Sequence, residues 1–260
     1  MRLPFSHFTT AVINSDFRNY RELLASKGKT LDSTAQEQLY AFATGLYALY
    51  GRTDFWAFNF NVGSGTRAYS FHGVEGVFMG NVTWAARGVR TPAGSDANYM
   101  RVPSYIANNF RARSGFTVIE TAGSETVFRS LYNAQGGAPS GPWDCLFYYN
   151  NNTSWHSGAY IGTTRNGFMT VTTPGSGIIV NTPVSVGFRI QSTSEQTFLN
   201  GALAKDSGWM SPNINPAPYT VLSIAGRLDG YMSLLVVKES PVDMSALHGL
   251  AKKTVCPFLP

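Results

Sequence analysis

The sequence predicts a mainly β protein: an antiparallel β-sandwich preceded by a small N-terminal helical hairpin. Three observations carry this. Apolar residues recur at helical spacing between residues 15 and 60, and from about residue 61 the recurrence shortens to two. The 260 residues include 26 glycines and 13 prolines but only 13% charged residues. That turn-rich balance suits strands joined by polar loops better than a helical bundle. Finally, Asn200-Gly201 sits between the alternating apolar residues Phe198, Leu199 and Leu203. Asn-Gly tolerates positive φ at both central positions of a type I′ turn, so the stretch reads as a tight hairpin.

Phe17, Tyr20, Leu23 and Leu24 fall at helical spacing, and "SKGK" breaks the run at Gly28. A second helix opens at "DSTAQEQ", where Ser33 followed by Gln36 reads as a capping box. Leu39, Phe42, Leu46 and Leu49 then share one face, with Tyr40, Tyr47 and Tyr50 on a neighbouring one, and Gly51 ends the helix. "TDFWAF" reads as a last short turn capped by Thr53 or Asp54. Two helices of this size cannot bury their own apolar face, so they must dock on something.

The strands follow as "AYSFHGVEGVFMG", "NVTWAARGV", "GFTVIETA", "ETVFRSLYNA", "WDCLFYYN", "SGAYIGTT", "GFMTVTT", "VSVGFRIQ", "QTFLNGAL", "YTVLSIAGR" and "GYMSLLVVKE". About ten short strands with no helices between them give an antiparallel sandwich or barrel. Asp243 is placed to cap a short helix from Met244 to Lys253, whose two lysines complement the dipole at its C-terminal end. The apolar ending "PFLP" is either a docking peptide or a tail folded back on the domain. The implied organisation is an arm and helical hairpin over residues 1–60, a sandwich over 61–240, and a short helix with tail over 241–260.

"VSVGFRIQSTSEQTFLNGALAKDSG", through Phe188, Phe198, Asn200, Gly201 and Leu203, resembles the late hairpin of laminin-G-like and concanavalin-A-like lectin and glucanase sandwiches. "YTVLSIAGRLDGYMSLLVVKES" resembles the next two strands of those folds, joined by Leu228-Asp229-Gly230. "LYALYGRTDFWAF", through Leu46, Leu49, Gly51, Phe55 and Trp56, resembles the helical lead into a laminin-G-like sandwich in tailed-bacteriophage structural proteins. The matches cover roughly residues 15–60 and 184–253, with the middle matching as generic β sequence. The resemblance implies a concanavalin-A-like jelly roll on a phage virion, assembled in bacterial cytoplasm. Its partners would be other virion proteins, reached through the N-terminal helical region. Display as a homo-oligomer, a trimer or dimer, would follow.

Several function classes are disfavoured. The net charge is +5, but the densest basic groups, Arg111 with Arg113 and Lys252 with Lys253, form no stripe, so nucleic acid is not an expected partner. No run reaches the length of a membrane span, and the N-terminus lacks a secretory signal pattern. Cys145 and Cys256 allow one disulfide, although two free thiols are the reading that suits a reducing compartment. Retaining glucanases need two carboxyl groups about 5–5.5 Å apart. Glu120 and Glu125 are offset by five residues, which puts them on opposite sides of a regular strand, and Asp144 stands alone. His7, His72, His156 and His248 show no metal-ligand spacing. The expectation is therefore a protein that is not an enzyme, with no catalytic residue, no metal site and no cofactor.

The best binding candidate is "GPWDCLFYYNNNTSWH". Trp143, Tyr148, Asn150, Asn151, Asn152, Trp155 and His156 supply rings for the C–H faces of a sugar, with amide and imidazole groups for its hydroxyls. Alternation puts Cys145, Phe147 and Tyr149 on one face and Leu146 and Tyr148 on the other, so both cannot meet a ligand. The competing reading is a strand of core aromatics followed by an ordinary polar turn. Host-surface glycans are thus the second expected class of partner, and attachment or particle decoration the expected function. A free-standing bacterial carbohydrate-binding module and a cement protein that binds no sugar remain as alternatives.

Overall fold

The structure, a computed structural model, describes residues 5–92, 98–102, 114–121, 129–136, 143–151, 154–160, 181–191, 194–206, 219–226 and 229–260. Two helices open it, α1 (Phe5–Ser26) and α2 (Ser33–Tyr50). The first starts ten residues before the predicted run, so its early turns occupy what was read as an arm. The cap of α2 is Asp32 rather than Ser33: its carboxylate accepts from Ala35 N at 2.8 Å, while the Gln36 amide donates to Leu31 O. Asp and Ser are nearly equal caps, so the choice between adjacent residues was not a local one. Leu39, Phe42 and Leu46 are fully buried, whereas Leu49 is 48% exposed and ends the stripe.

Among the described residues, the strands form two antiparallel eight-stranded sheets. In the first, the order runs β14 (Ala202–Asp206), β13 (Ser194–Leu199), β12 (Val184–Gln191), β8 (Ser114–Thr121), β16 (Gly230–Lys238), β6 (Gly88–Thr91), β5 (Thr83–Ala85). A two-residue strand, β1 (Phe55–Trp56), also pairs with β16. The second sheet runs β11 (Ser154–Tyr160), β10 (Trp143–Asn151), β9 (Arg129–Gly136), β15 (Tyr219–Gly226), β7 (Tyr99–Arg101), β4 (Glu75–Met79), β3 (Arg67–Tyr69), β2 (Gly63–Ser64). The mainly β sandwich behind a helical hairpin is as predicted. "GFMTVTT" lies outside the described residues. "TDFWAF" is a correction: it forms β1 followed by a short 3₁₀ turn, Phe58–Phe60, and not a helical cap. Its partners, Val236 and Leu235, lie far along the chain, which no local pattern announces.

The inner strands of the first sheet, β8, β12 and β16, are buried on both faces. Met232, Leu235 and Val237 of β16 join Ile119, Val186 and Phe188 in a core between the sheets. Leu234 and Val236 join Phe116 and Val118 beneath the helices. A bulge at Ser233 shifts the register, which is why Met232 and Leu235 share a face. Ser233 Oγ anchors the bulge by donating to Arg87 O at 2.6 Å. Each large apolar side chain buried in these cores contributes about 1.5–3 kcal/mol.

A third helix, α3 (Met244–Lys253), matches its predicted bounds, with Asp243 accepting from Ser245 N and Ala246 N. Gly45 admits it against α2, since a Cβ there would run into the Leu250 methyls. The tail folds back: Val255, Cys256 and Leu259 are buried and Phe258 is partly exposed. Cys256 is a free thiol whose ionisation burial disfavours, which makes it unreactive.

The Asn200-Gly201 turn has positive φ at both residues, 49° and 77°, as a type I′ turn requires. It also docks on α3: a Cβ on Gly201 would sit 2.8 Å from His248 Cβ, and His248 Nδ1 lies 2.9 Å from Ser185 Oγ. Gly201→Val therefore meets both a backbone penalty and a collision. The expected loss is about 2–3 kcal/mol, read as a lower urea midpoint; an unchanged midpoint would mean the turn is not held against α3.

Candidate functional site

The aromatic and amide residues singled out from sequence lie on a hairpin at the edge of the second sheet. Asn151 pairs with Ser154, Asn150 with Trp155, Tyr149 with His156 and Tyr148 with Ser157. Asn152 falls outside the described residues. The ladder decides which face each position occupies. Met100 is buried in the inter-sheet core, and opposite partners in an antiparallel ladder share a face. Met100 pairs with Ile224, Ile224 with Tyr132, and Tyr132 with Leu146. Leu146 therefore lies on the row facing the other sheet, together with Tyr148, Asn150 and its partner Trp155. Trp143, Asn151 and His156, with Phe147 and Tyr149, occupy the outward row. The six described candidates divide between two faces of one hairpin.

Glu120 and Asp144 lie on different sheets. Glu120 is buried at the end of β8 and forms an ion pair with Arg87. Beside it, Arg90 binds Asp229 at 3.1 Å and lies over the Tyr231 ring at 5.4 Å. Asp144 occupies β10 opposite Ala134, and Glu125 is outside the described residues.

A polar cluster that sequence reasoning missed lies at the seam between the helices and the sandwich. Asp16 comes from α1, Tyr47 from α2, Asp54 from the segment before β1, and His72 from the loop between β3 and β4. Tyr47 donates its hydroxyl hydrogen to Asp16, and its oxygen lies 3.2 Å from His72 Nε2. Arg52 donates to both Asp16 oxygens at 3.2 and 3.3 Å. His72 Nδ1 faces Asp54 Oδ1 at 3.5 Å, while Asp54 accepts from Phe55 N, His72 N and Ser70 Oγ at 2.7–2.9 Å. Burial pushes the Asp54 carboxyl up, against the opposing pull of His72 and these donors. Burial likewise pushes the His72 imidazole down, against the pull of Asp54 and Asp16. Tyr47 is raised by burial and by its bond to Asp16. Three stretches of the chain, at residue 16, at 47–54 and at 70–72, build the cluster, and each residue alone reads as an ordinary polar side chain.

Among the described residues, no three His, Cys, Asp or Glu side chains are grouped to hold a metal ion. Among the same residues, no helix is long and apolar enough to cross a membrane.

No protein-family model matches the chain. No curated protein matches it either. Solved structures do. A mutant of Trypanosoma rangeli sialidase displaying trans-sialidase activity is 12% identical, with a TM-score of 0.59, over 94% of this chain and 38% of that one. Trypanosoma rangeli sialidase in complex with sialic acid is 12% identical, TM-score 0.57, over 98% of this chain and 40% of that one. The receptor binding domain of botulinum neurotoxin C/D mosaic serotype is 9% identical, TM-score 0.50, over 77% of this chain and 50% of that one. The chain spans about two fifths of the length of the sialidase chains it resembles. At these identities the likeness shows the fold alone.

It nevertheless overturns one expectation. The chain was read from sequence as not an enzyme, yet its scaffold recurs within chains that are sialidases. The glucanase acidic pair is one catalytic arrangement among many, and a fold does not prescribe where catalytic side chains are placed on it. The assignment as a non-enzyme is withdrawn.

Proposed function

We propose that this chain is an attachment module whose β-sandwich recognises a surface glycan through the outward row of the β10–β11 hairpin, with a tailed-phage virion as its setting. The observation that carries the reading is the composition of that row: Trp143, Phe147, Tyr149 and His156 with Asn151 at the turn end. Aromatic residues beside an amide suit the alternating C–H faces and hydroxyls of a sugar. The net charge of +5 favours an acidic sugar. Support also comes from the fold, shared with a sialidase solved with sialic acid and with a toxin receptor binding domain. Copies displayed together would convert weak single sites into firm attachment.

The test is an array of sialylated and bacterial surface glycans, probed with the protein multimerised on beads. Trp143→Ala and His156→Ala are expected to lower the signal about tenfold or more, the loss of one stacked or hydrogen-bonded group. Trp155→Ala, on the inward row, should act through stability instead. Release of free sugar, measured in the same wells, separates recognition from turnover. Absence of any glycan signal from folded, multimerised protein would overturn the reading.

A further inference from the structure

A second surface lies on the helical layer, away from the β10–β11 hairpin. The C-terminal half of α1, the connection that follows it and the first turns of α2 enclose a cleft of ≈ 280 Å³. Its floor is apolar, formed by Leu24 and Leu31, both buried. Its rim carries three cations, Arg18, Arg21 and Lys29, against one carboxylate, Glu22. Among the described residues, none of the three cationic side chains has a hydrogen-bond or ion-pair partner. Elsewhere in the fold Arg52, Arg67, Arg87 and Arg90 are each matched to a carboxylate. The three cations of Arg18, Arg21 and Lys29 surround one apolar hollow.

We infer that this cleft receives an acidic peptide segment of a partner protein, apolar side chains on the Leu24–Leu31 floor and carboxylates against Arg18, Arg21 and Lys29. A hollow of this size is at the small end for a whole ligand, and it is open to solvent on one side. It therefore suits part of a longer chain, with the floor supplying burial and the rim supplying steering and orientation. Charge complementarity selects the occupant: the rim holds a net excess of two positive charges, and a basic or neutral segment would leave it unanswered. The inference does not depend on glycan recognition, which concerns the other sheet.

The experiment is fluorescence anisotropy of the full chain with a short fluorescein-labelled peptide of aspartates interspersed with leucines. Binding is expected, tighter at low salt than at high salt. Arg18→Glu/Arg21→Glu/Lys29→Glu should weaken it about tenfold or more, and the milder Arg18→Gln/Arg21→Gln should weaken it less, each with an unchanged melting curve. Ala25→Trp, which fills the hollow without altering charge, should abolish binding. Exchange of the peptide's leucines for serines should do the same. Any of these results would overturn the inference: no binding at low salt, full binding to Ala25→Trp, equal binding of the serine peptide, or equal loss in Lys252→Glu/Lys253→Glu. Displacement of the peptide by heparin from wild type and Ala25→Trp alike would also overturn it, because the surface would then be a general polyanion patch.

Discussion

Phe42→Ala is expected to lower unfolding free energy by about 3–5 kcal/mol, the usual cost of removing a fully buried aromatic ring. Phe42 is 0% exposed and meets the Phe55 ring edge-on at 4.9 Å. Phe55 stacks on Phe71 at 4.8 Å, and Phe71 lies 5.4 Å from Tyr20 of α1. Phe55 also sits in β1, hydrogen-bonded alongside β16. The ring therefore couples α1, α2 and the central strand of the first sheet, and its loss opens a cavity that three rigid neighbours cannot collapse into. A chain of this size should lose about 2–4 °C of melting temperature per kcal/mol. Leu49→Ala, at a half-exposed position on the same helix, should change stability by no more than about 0.5 kcal/mol. Similar losses in both variants would mean that the helical layer is not packed as described.

Asp54→Ala is expected to cost about as much, about 3–5 kcal/mol, by a different route. Its carboxylate is the common acceptor for Phe55 N, His72 N and Ser70 Oγ, and Ser70 Oγ in turn accepts from Val74 N at 2.9 Å. Alanine leaves these buried donors without an acceptor and His72 without the carboxylate facing it. Asp54→Asn retains one acceptor oxygen while turning an amide toward a donor, so an intermediate loss is expected. Urea denaturation of the three proteins orders them. A loss below about 1 kcal/mol in Asp54→Ala would show that solvent reaches these donors.

How much of this was legible varies by element. The change of hydrophobic period near residue 61, the Asn200-Gly201 turn and the Asp243 cap are local signals, and each element they announce is present. The early turns of α1 were missed because "FTTAVI" is rich in β-branched residues of low helix propensity. Burial of Ile13 against the rest of the helical core offsets that preference. "TDFWAF" was misread because a two-residue strand exists only by virtue of its neighbour, β16. The aromatic hairpin was found from composition, but the division of Trp143, Asn151 and His156 from Tyr148, Asn150 and Trp155 needed a ladder traced across four strands.

The sequence by itself determined the fold class, the tight turn and the short C-terminal helix, because periodicity, φ preference and capping act within a few residues. Only the tertiary structure decided what the first sheet buries on each face and which carboxylates meet His72. Those outcomes depend on contacts between segments far apart in the chain, whose geometry is set when the sheets and helices pack.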